Sequence, residues 1–332
     1  FGNELSHCFN SVFERIVKDI EMAKELVEEE EPDLILLTNE YGAFERALVI
    51  AGKLKKIPTL AIQHGNIGPL HEGYMYPKDS ISVHGSIETP YCPIPDKTAV
   101  SGRYYHDLLT KMSAYPPNMV VVTGSPRYDI LAVANKVFSR EKFCSRLHLV
   151  PDRKVVLVAT QTWPIPKGKA FLRNILRALK NLPELQTVIK PHPREKREWH
   201  KEVVEEENAK AVVLSKNSET FEALYACDLL VTEFSTTITE AVILGKPVVA
   251  LTLSKIRDDT PYYQKVTLRV YSGKNLVPAI KKALFDEKTR EMLKKLGKKI
   301  ASEHEYKHDG KATERVTSLI ERMTKSKNCI IK

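Results

Sequence analysis

Three consecutive hydroxyl residues, Ser235, Thr236 and Thr237, stand between an apolar run at Asp228 to Thr232 and a segment of helical spacing at Thr239 to Leu244. A second apolar run follows at Pro247 to Leu251, after a Gly245-Lys246-Pro247 stop. This pattern predicts a strand, a capped turn, a helix and a parallel strand. A helix entrance of that kind offers hydroxyl donors, unpaired backbone N–H groups and the positive end of the helix dipole, which together suit a phosphate or pyrophosphate. Glu240, a turn further on, can accept from the ribose or sugar hydroxyls of the same ligand. The three hydroxyls also read as plain helix caps.

Other polar residues fall directly after apolar runs, where open α/β sheets bind ligands. Gln63, His64, Gly65 and Asn66 form one such group; an imidazole there can take a proton from an attacking hydroxyl or simply bond a loop carbonyl. Lys190 and His192 lie in Lys190-Pro191-His192-Pro193, a loop stiffened by its prolines, and both can donate to phosphate oxygens. Gln161 and Thr162 precede Trp163, with Lys167 and Lys169 close behind, in what is either a cleft wall or a solvated connection. Gly124 and Arg127 follow another run, where Arg127 and Asp129 can pair with each other, and Glu233 immediately precedes the hydroxyl turn.

These groups need elements to hold them. Apolar residues at helical spacing predict a helix over Glu4 to Glu31, and strands follow at Asp33 to Thr38, Thr59 to Gln63, Ser80 to Val83, Thr98 to Ser101 and Val120 to Thr123. A new series opens at Lys154 to Ala159 and continues through strands at Gln186 to Ile189 and Val212 to Leu214 and a helix at Thr220 to Ala226. Helices at Leu276 to Phe285, Lys288 to Glu303 and Lys311 to Met323 close the chain. Alternating strands and helices with short connections predict two Rossmann-like doubly wound parallel sheets facing across a cleft. The boundary is expected near Pro151, giving domains at 1–150 and 151–323 with a tail at 324–332. The last helix is expected to cross back to the first domain, whose few strands suggest a start upstream of Phe1.

With 332 residues, 42% hydrophobic and 28% charged, the chain has the composition of an ordinary globular protein with room for two cores. Its apolar runs are far shorter than a bilayer requires. Five cysteines without paired spacing argue against a metal knuckle or disulfide framework and fit a reducing cytoplasm. The net charge of +9 comes from lysines interleaved with acids and without stacking aromatics, which argues against a nucleic-acid platform. Solvated helix faces or peripheral contact with an anionic membrane account for it.

Taken in order, Gln63-His64-Gly65, Thr123-Gly124-Ser125-Pro126-Arg127-Tyr128-Asp129, Lys190-Pro191-His192-Pro193, Ser235-Thr236-Thr237 with Glu240-Ala241, Gly245-Lys246-Pro247 and Asp309-Gly310-Lys311-Ala312 resemble glycosyltransferases of the GT-B fold. More narrowly, they resemble the grouping that holds CDP-glycerol glycerophosphotransferases, capsular polysaccharide transferases and UDP-N-acetylglucosamine 2-epimerases. The resemblance implies an enzyme of surface polysaccharide or glycoconjugate synthesis. It would take a nucleotide sugar as donor substrate, a glycan or lipid-linked acceptor, and neither cofactor nor metal. His64 would be the base, Lys190, His192 and Ser235 to Thr237 would hold the donor phosphates, and Glu240 the ribose or sugar. Gln63, Asn66, Gly124, Arg127, Gln161, Thr162 and Glu233 would line the cleft. An epimerase without an acceptor, and a non-catalytic glycan- or polyanion-binding fragment, are the alternatives. The epimerases carry acids in the first domain, where this chain has His64 and Asn66.

Overall fold

The computed structural model describes residues 8–77, 80–81, 92–215, 218–253 and 263–330. The chain divides into two compact units: unit 1 is Phe1–Asp129 with Glu303–Lys332, and unit 2 is Ile130–Ser302. No helix among the described residues is long and apolar enough to cross a membrane.

Unit 1 carries a parallel sheet of β1 (Ile35–Leu37), β2 (Thr59–Ile62), β3 (Lys97–Val100) and β4 (Val120–Val122), in that order. The opening helix is regular over Glu14–Glu30 and preceded by a π-helical turn at Cys8–Phe13. Its buried residues Ala23 and Val27 pack with Ile35, Leu37 and Ala47 on one face of the sheet. Of the strand expected at Ser80 to Val83, Ser80 and Ile81 are not in strand conformation, and positions 82 and 83 lie outside the described residues.

The helix Ala312–Ile330 belongs to unit 1 and buries Leu319 and Met323 against Leu60 of β2 and Ala99 of β3. It continues to Ile330, into the segment assigned to a tail. Asp129, proposed as a partner for Arg127, instead caps this helix: its carboxylate accepts from Ala312 N–H at 2.9 Å, Thr313 N–H at 2.8 Å and the Thr313 hydroxyl at 2.6 Å. Arg315 donates to the Thr123 carbonyl at 2.6 Å, and Tyr306 N–H to the Ser101 carbonyl at 2.7 Å. The sequence runs Thr123 to Asp129 and Asp309 to Ala312 are thus two halves of one lock across the carboxyl ends of β3 and β4.

Unit 2 is built on β5 (Val155–Ala159), β6 (Gln186–Lys190), β7 (Ala211–Val213), β8 (Leu229–Thr232), β9 (Val248–Leu251) and β10 (Leu268–Val270), all parallel, in the order β10-β9-β8-β5-β6-β7. Strand alternation sends Val156 and Val158 to one apolar core with Leu172, Ile175 and Ile280, and Val155, Leu157 and Ala159 to another with Phe143, Leu224 and Ile238. Coverage on both faces explains why the strands read as unbroken apolar runs. The helix Arg140–Arg146, capped by Ser139, puts Phe143 and Cys144 into the second core. The division therefore falls at Asp129 rather than near Pro151.

Candidate active site

In unit 2, β5, β6 and β7 run to one side of the sheet while β8, β9 and β10 run to the other, so the winding reverses between β5 and β8. Such a switch point opens a crevice at the carboxyl ends of the strands. Ala159 pairs with Lys190, Thr160 N–H donates to the Lys190 carbonyl at 3.2 Å, and the Thr232 hydroxyl donates to the Ala159 carbonyl at 3.0 Å. These bonds bring the ends of β6, β5 and β8 side by side. They group Lys190 and His192, Gln161 and Thr162, and Glu233 with Ser235, Thr236 and Thr237 on one edge.

Lys190 is buried, with its ammonium donating to the Pro191 carbonyl at 3.1 Å; burial lowers its pKa, against the pull of Glu219. His192 is half-buried, and its Nδ1 accepts from Arg194 N–H at 3.1 Å. Loss of solvent pushes its pKa down. A neutral ring that accepts at Nδ1 carries its proton on Nε2. With Nδ1 occupied in this way, the Nε2 side of His192 is the one left to donate to a phosphate, as expected of it. Glu195 orders this loop, accepting from His192 N–H at 3.0 Å and from the Thr160 hydroxyl at 2.5 Å.

Across the switch point, Lys167 meets the buried Glu233 carboxylate at 3.3 Å and lies 5.2 Å from the Trp163 ring. Lys169 pairs with Glu202 at 2.7 Å and so belongs to a helix–helix contact, not to the crevice. Thr162 is exposed. Ser235 accepts from Thr237 N–H at 3.2 Å, which spends part of the hydroxyl turn on capping the seven-residue helix Thr237–Ile243. Glu240 is fully buried, so a ribose hydroxyl would reach it only after the turn opens.

In unit 1, His64 is exposed after β2, with the Tyr41 ring centroid 6.0 Å from its own. Two of its neighbours are structural. Gln63 accepts from Ser101 N–H at 2.9 Å and donates to the Gly65 carbonyl at 2.7 Å, stapling β2 to β3. Asn66 accepts from the Tyr105 hydroxyl at 2.8 Å. Gly65 has ordinary backbone geometry and open space around it, so no sharp turn depends on it. Gly124, at φ 83°, packs against Ala312 in the lock, and Arg127 is exposed beside it.

Glu40, after β1, is a buried acid of this unit. It accepts from the Tyr115 hydroxyl at 2.6 Å and the Thr98 hydroxyl at 3.2 Å. Burial raises its pKa to about 7, although these bonds and Arg46 oppose the rise. The sequence signal for it is an acid three residues past the end of an apolar strand. A cavity of about 480 Å³, bordered by Lys154, Asp228, Lys246, Arg290 and Lys294, lies instead at the amino ends of β8 and β9. The placement of polar groups and the switch point both favour the carboxyl edge.

Comparison with solved structures identifies the fold. UDP-N-acetylglucosamine 2-epimerase from Neisseria meningitidis bound to UDP-GlcNAc is similar with TM-score 0.63 at 14% identity, over 94% of this chain and 82% of that one. A variant of the wall teichoic acid polymerase TagF is similar with TM-score 0.56 at 15% identity, over 98% of each chain. A glycosyltransferase from Rickettsia africae gives 0.54 at 15% identity, over 92% of this chain and 81% of that one. These share the GT-B fold of two parallel-sheet α/β domains. No curated protein matches the chain in sequence. The family model described as UDP-N-acetylglucosamine 2-epimerase matches residues 97–321, which take in the whole of unit 2 and more than half of the chain. The chain belongs to the UDP-N-acetylglucosamine 2-epimerase family.

Proposed function

We propose that the protein is a glycosyltransferase that moves a sugar or sugar-like group from a nucleotide-activated donor to a hydroxyl of a glycan or lipid-linked acceptor. Unit 2 holds the donor at its switch point. The Lys190 ammonium, the Nε2–H of His192 and the Ser235 to Thr237 turn support the charge that grows on the departing phosphate. His64 of unit 1 removes the proton of the acceptor hydroxyl.

The observation that carries this reading is where the family match begins. It starts at Lys97, so the half that would hold the nucleotide is family-like, while the segment with Glu40 and His64 lies outside it. The polar residue left accessible after β2 is an imidazole, and Gln63 beside it is consumed by the sheet. An accessible base suits activation of an incoming hydroxyl. Epimerisation at a sugar carbon is the second reading, favoured by the family itself and by Glu40, whose raised pKa would suit a proton-transferring acid.

Incubation with UDP-GlcNAc separates the two. The transferase reading expects release of UDP only when an acceptor glycan or lipid extract is added. Appearance of the 2-epimer of the intact nucleotide sugar without any acceptor, read by proton NMR, would establish the epimerase instead.

A further inference from the structure

Two glutamines, each 8% exposed, follow buried strands in the two sheets: Gln63 directly after β2 and Gln161 two residues past the end of β5. Gln63 has its amide satisfied on both sides, by Ser101 and by the Gly65 carbonyl. Neither the Nε2 nor the Oε1 of Gln161 has a hydrogen-bond partner among the described residues. The indole N–H of Trp163, two residues on, shares that condition. Buried polar atoms are nearly always paired, because an unpaired one forfeits its bonds to water and gains nothing in return. A fold that leaves both ends of one amide unmet at its switch point is therefore bearing a cost for something that binds there.

We propose that the Gln161 side-chain amide reads the transferred group of the donor, bonding a sugar hydroxyl or acetamido group that presents both a hydrogen-bond donor and an acceptor. This rests on the reading that the carboxyl edge of unit 2 takes a nucleotide-activated sugar. An ionised phosphate offers acceptors alone and cannot satisfy the amide oxygen. The phosphate contacts also lie elsewhere: Lys190 and His192 follow β6, and Ser235 to Thr237 follow β8, with β5 and its Gln161 between them. That middle position, flanked by phosphate contacts, is where the bond to the transferred group is broken. Trp163 adds a second donor to the same loop.

The test is calorimetric titration of the full chain and of Gln161→Leu with UDP and UDP-GlcNAc, run in parallel with CDP and CDP-glycerol. Gln161→Met, which keeps the unbranched shape, serves as the second variant. The nucleotide that the wild type accepts should bind both variants unchanged, while its conjugate should bind ~10-fold more weakly or worse. The ligand-free variants should melt a few degrees higher, about what removal of an unpaired buried amide yields.

Unchanged affinity for the conjugate, or a lower melting temperature in both ligand-free variants, would overturn the assignment. Equal weakening of the nucleotide and its conjugate would show that the amide reads the base or ribose instead. A wild type that binds none of the four compounds would refute the donor-site reading itself and the inference with it.

Discussion

Replacing His64 with alanine should lower the rate of group transfer by about 10²–10⁴, the usual worth of a positioned general base, while nucleotide binding stays as it was. The separation follows from where the groups lie. His64 stands at the end of β2 in unit 1, whereas Lys190, His192 and the Ser235 turn are on unit 2. Because the imidazole is exposed, its removal should change stability by no more than about 0.5 kcal/mol. A steady-state assay paired with a nucleotide titration reads both quantities. Full activity in the variant would remove His64 from the chemistry, and the buried Glu40 would become the leading acid–base group of unit 1.

The second large effect concerns the lock of unit 1. Gly102 follows β3 with an extended backbone that any residue can adopt, so its φ imposes no need for glycine. The space does. A Cβ at this position would lie 2.3 Å from the carbonyl carbon and oxygen of His304 and 2.5 Å from the Glu303 carbonyl oxygen. These are backbone atoms and cannot swing away as a side chain would. Gly102→Ala should therefore push the C-terminal segment off β3. It would put at risk the Ser101 bonds to His304 and Tyr306 and the contact of Tyr104 with the His304 ring at 4.2 Å. A loss of about 3 kcal/mol or more is expected, as for other severe steric conflicts in packed regions. Gly65→Ala, which meets nothing within 4 Å, is the control and should be neutral. Thermal melts and limited proteolysis of the Ala312–Ile330 helix report the outcome. Equal stability of the two variants would contradict the lock.

The sheets were legible because their strands are apolar on both faces, and runs such as Val155 to Ala159 admit few other readings. β10 was missed because Leu268, Arg269 and Val270 are too few and too mixed to show a period. The boundary was misplaced because Pro151 looks like a linker residue. What decides it is the burial of Phe143 and Cys144, a tertiary fact with no local signature.

At the site, polar residues that follow strands are visible in the sequence, but their roles are not. Gln63 and Gln161 look alike in sequence, and only the partners of their amides separate a staple from a ligand contact. Asp129 likewise gave no sign that it would cap a helix beginning 183 residues later.

The most direct test of the account is hydrogen exchange of the full chain with and without UDP-GlcNAc. A donor held at the switch point predicts slowed exchange in the segments 160–167, 190–195 and 233–240, which follow β5, β6 and β8. Protection confined to the cavity around Lys154, Lys246 and Arg290, at the opposite ends of the strands, would contradict it.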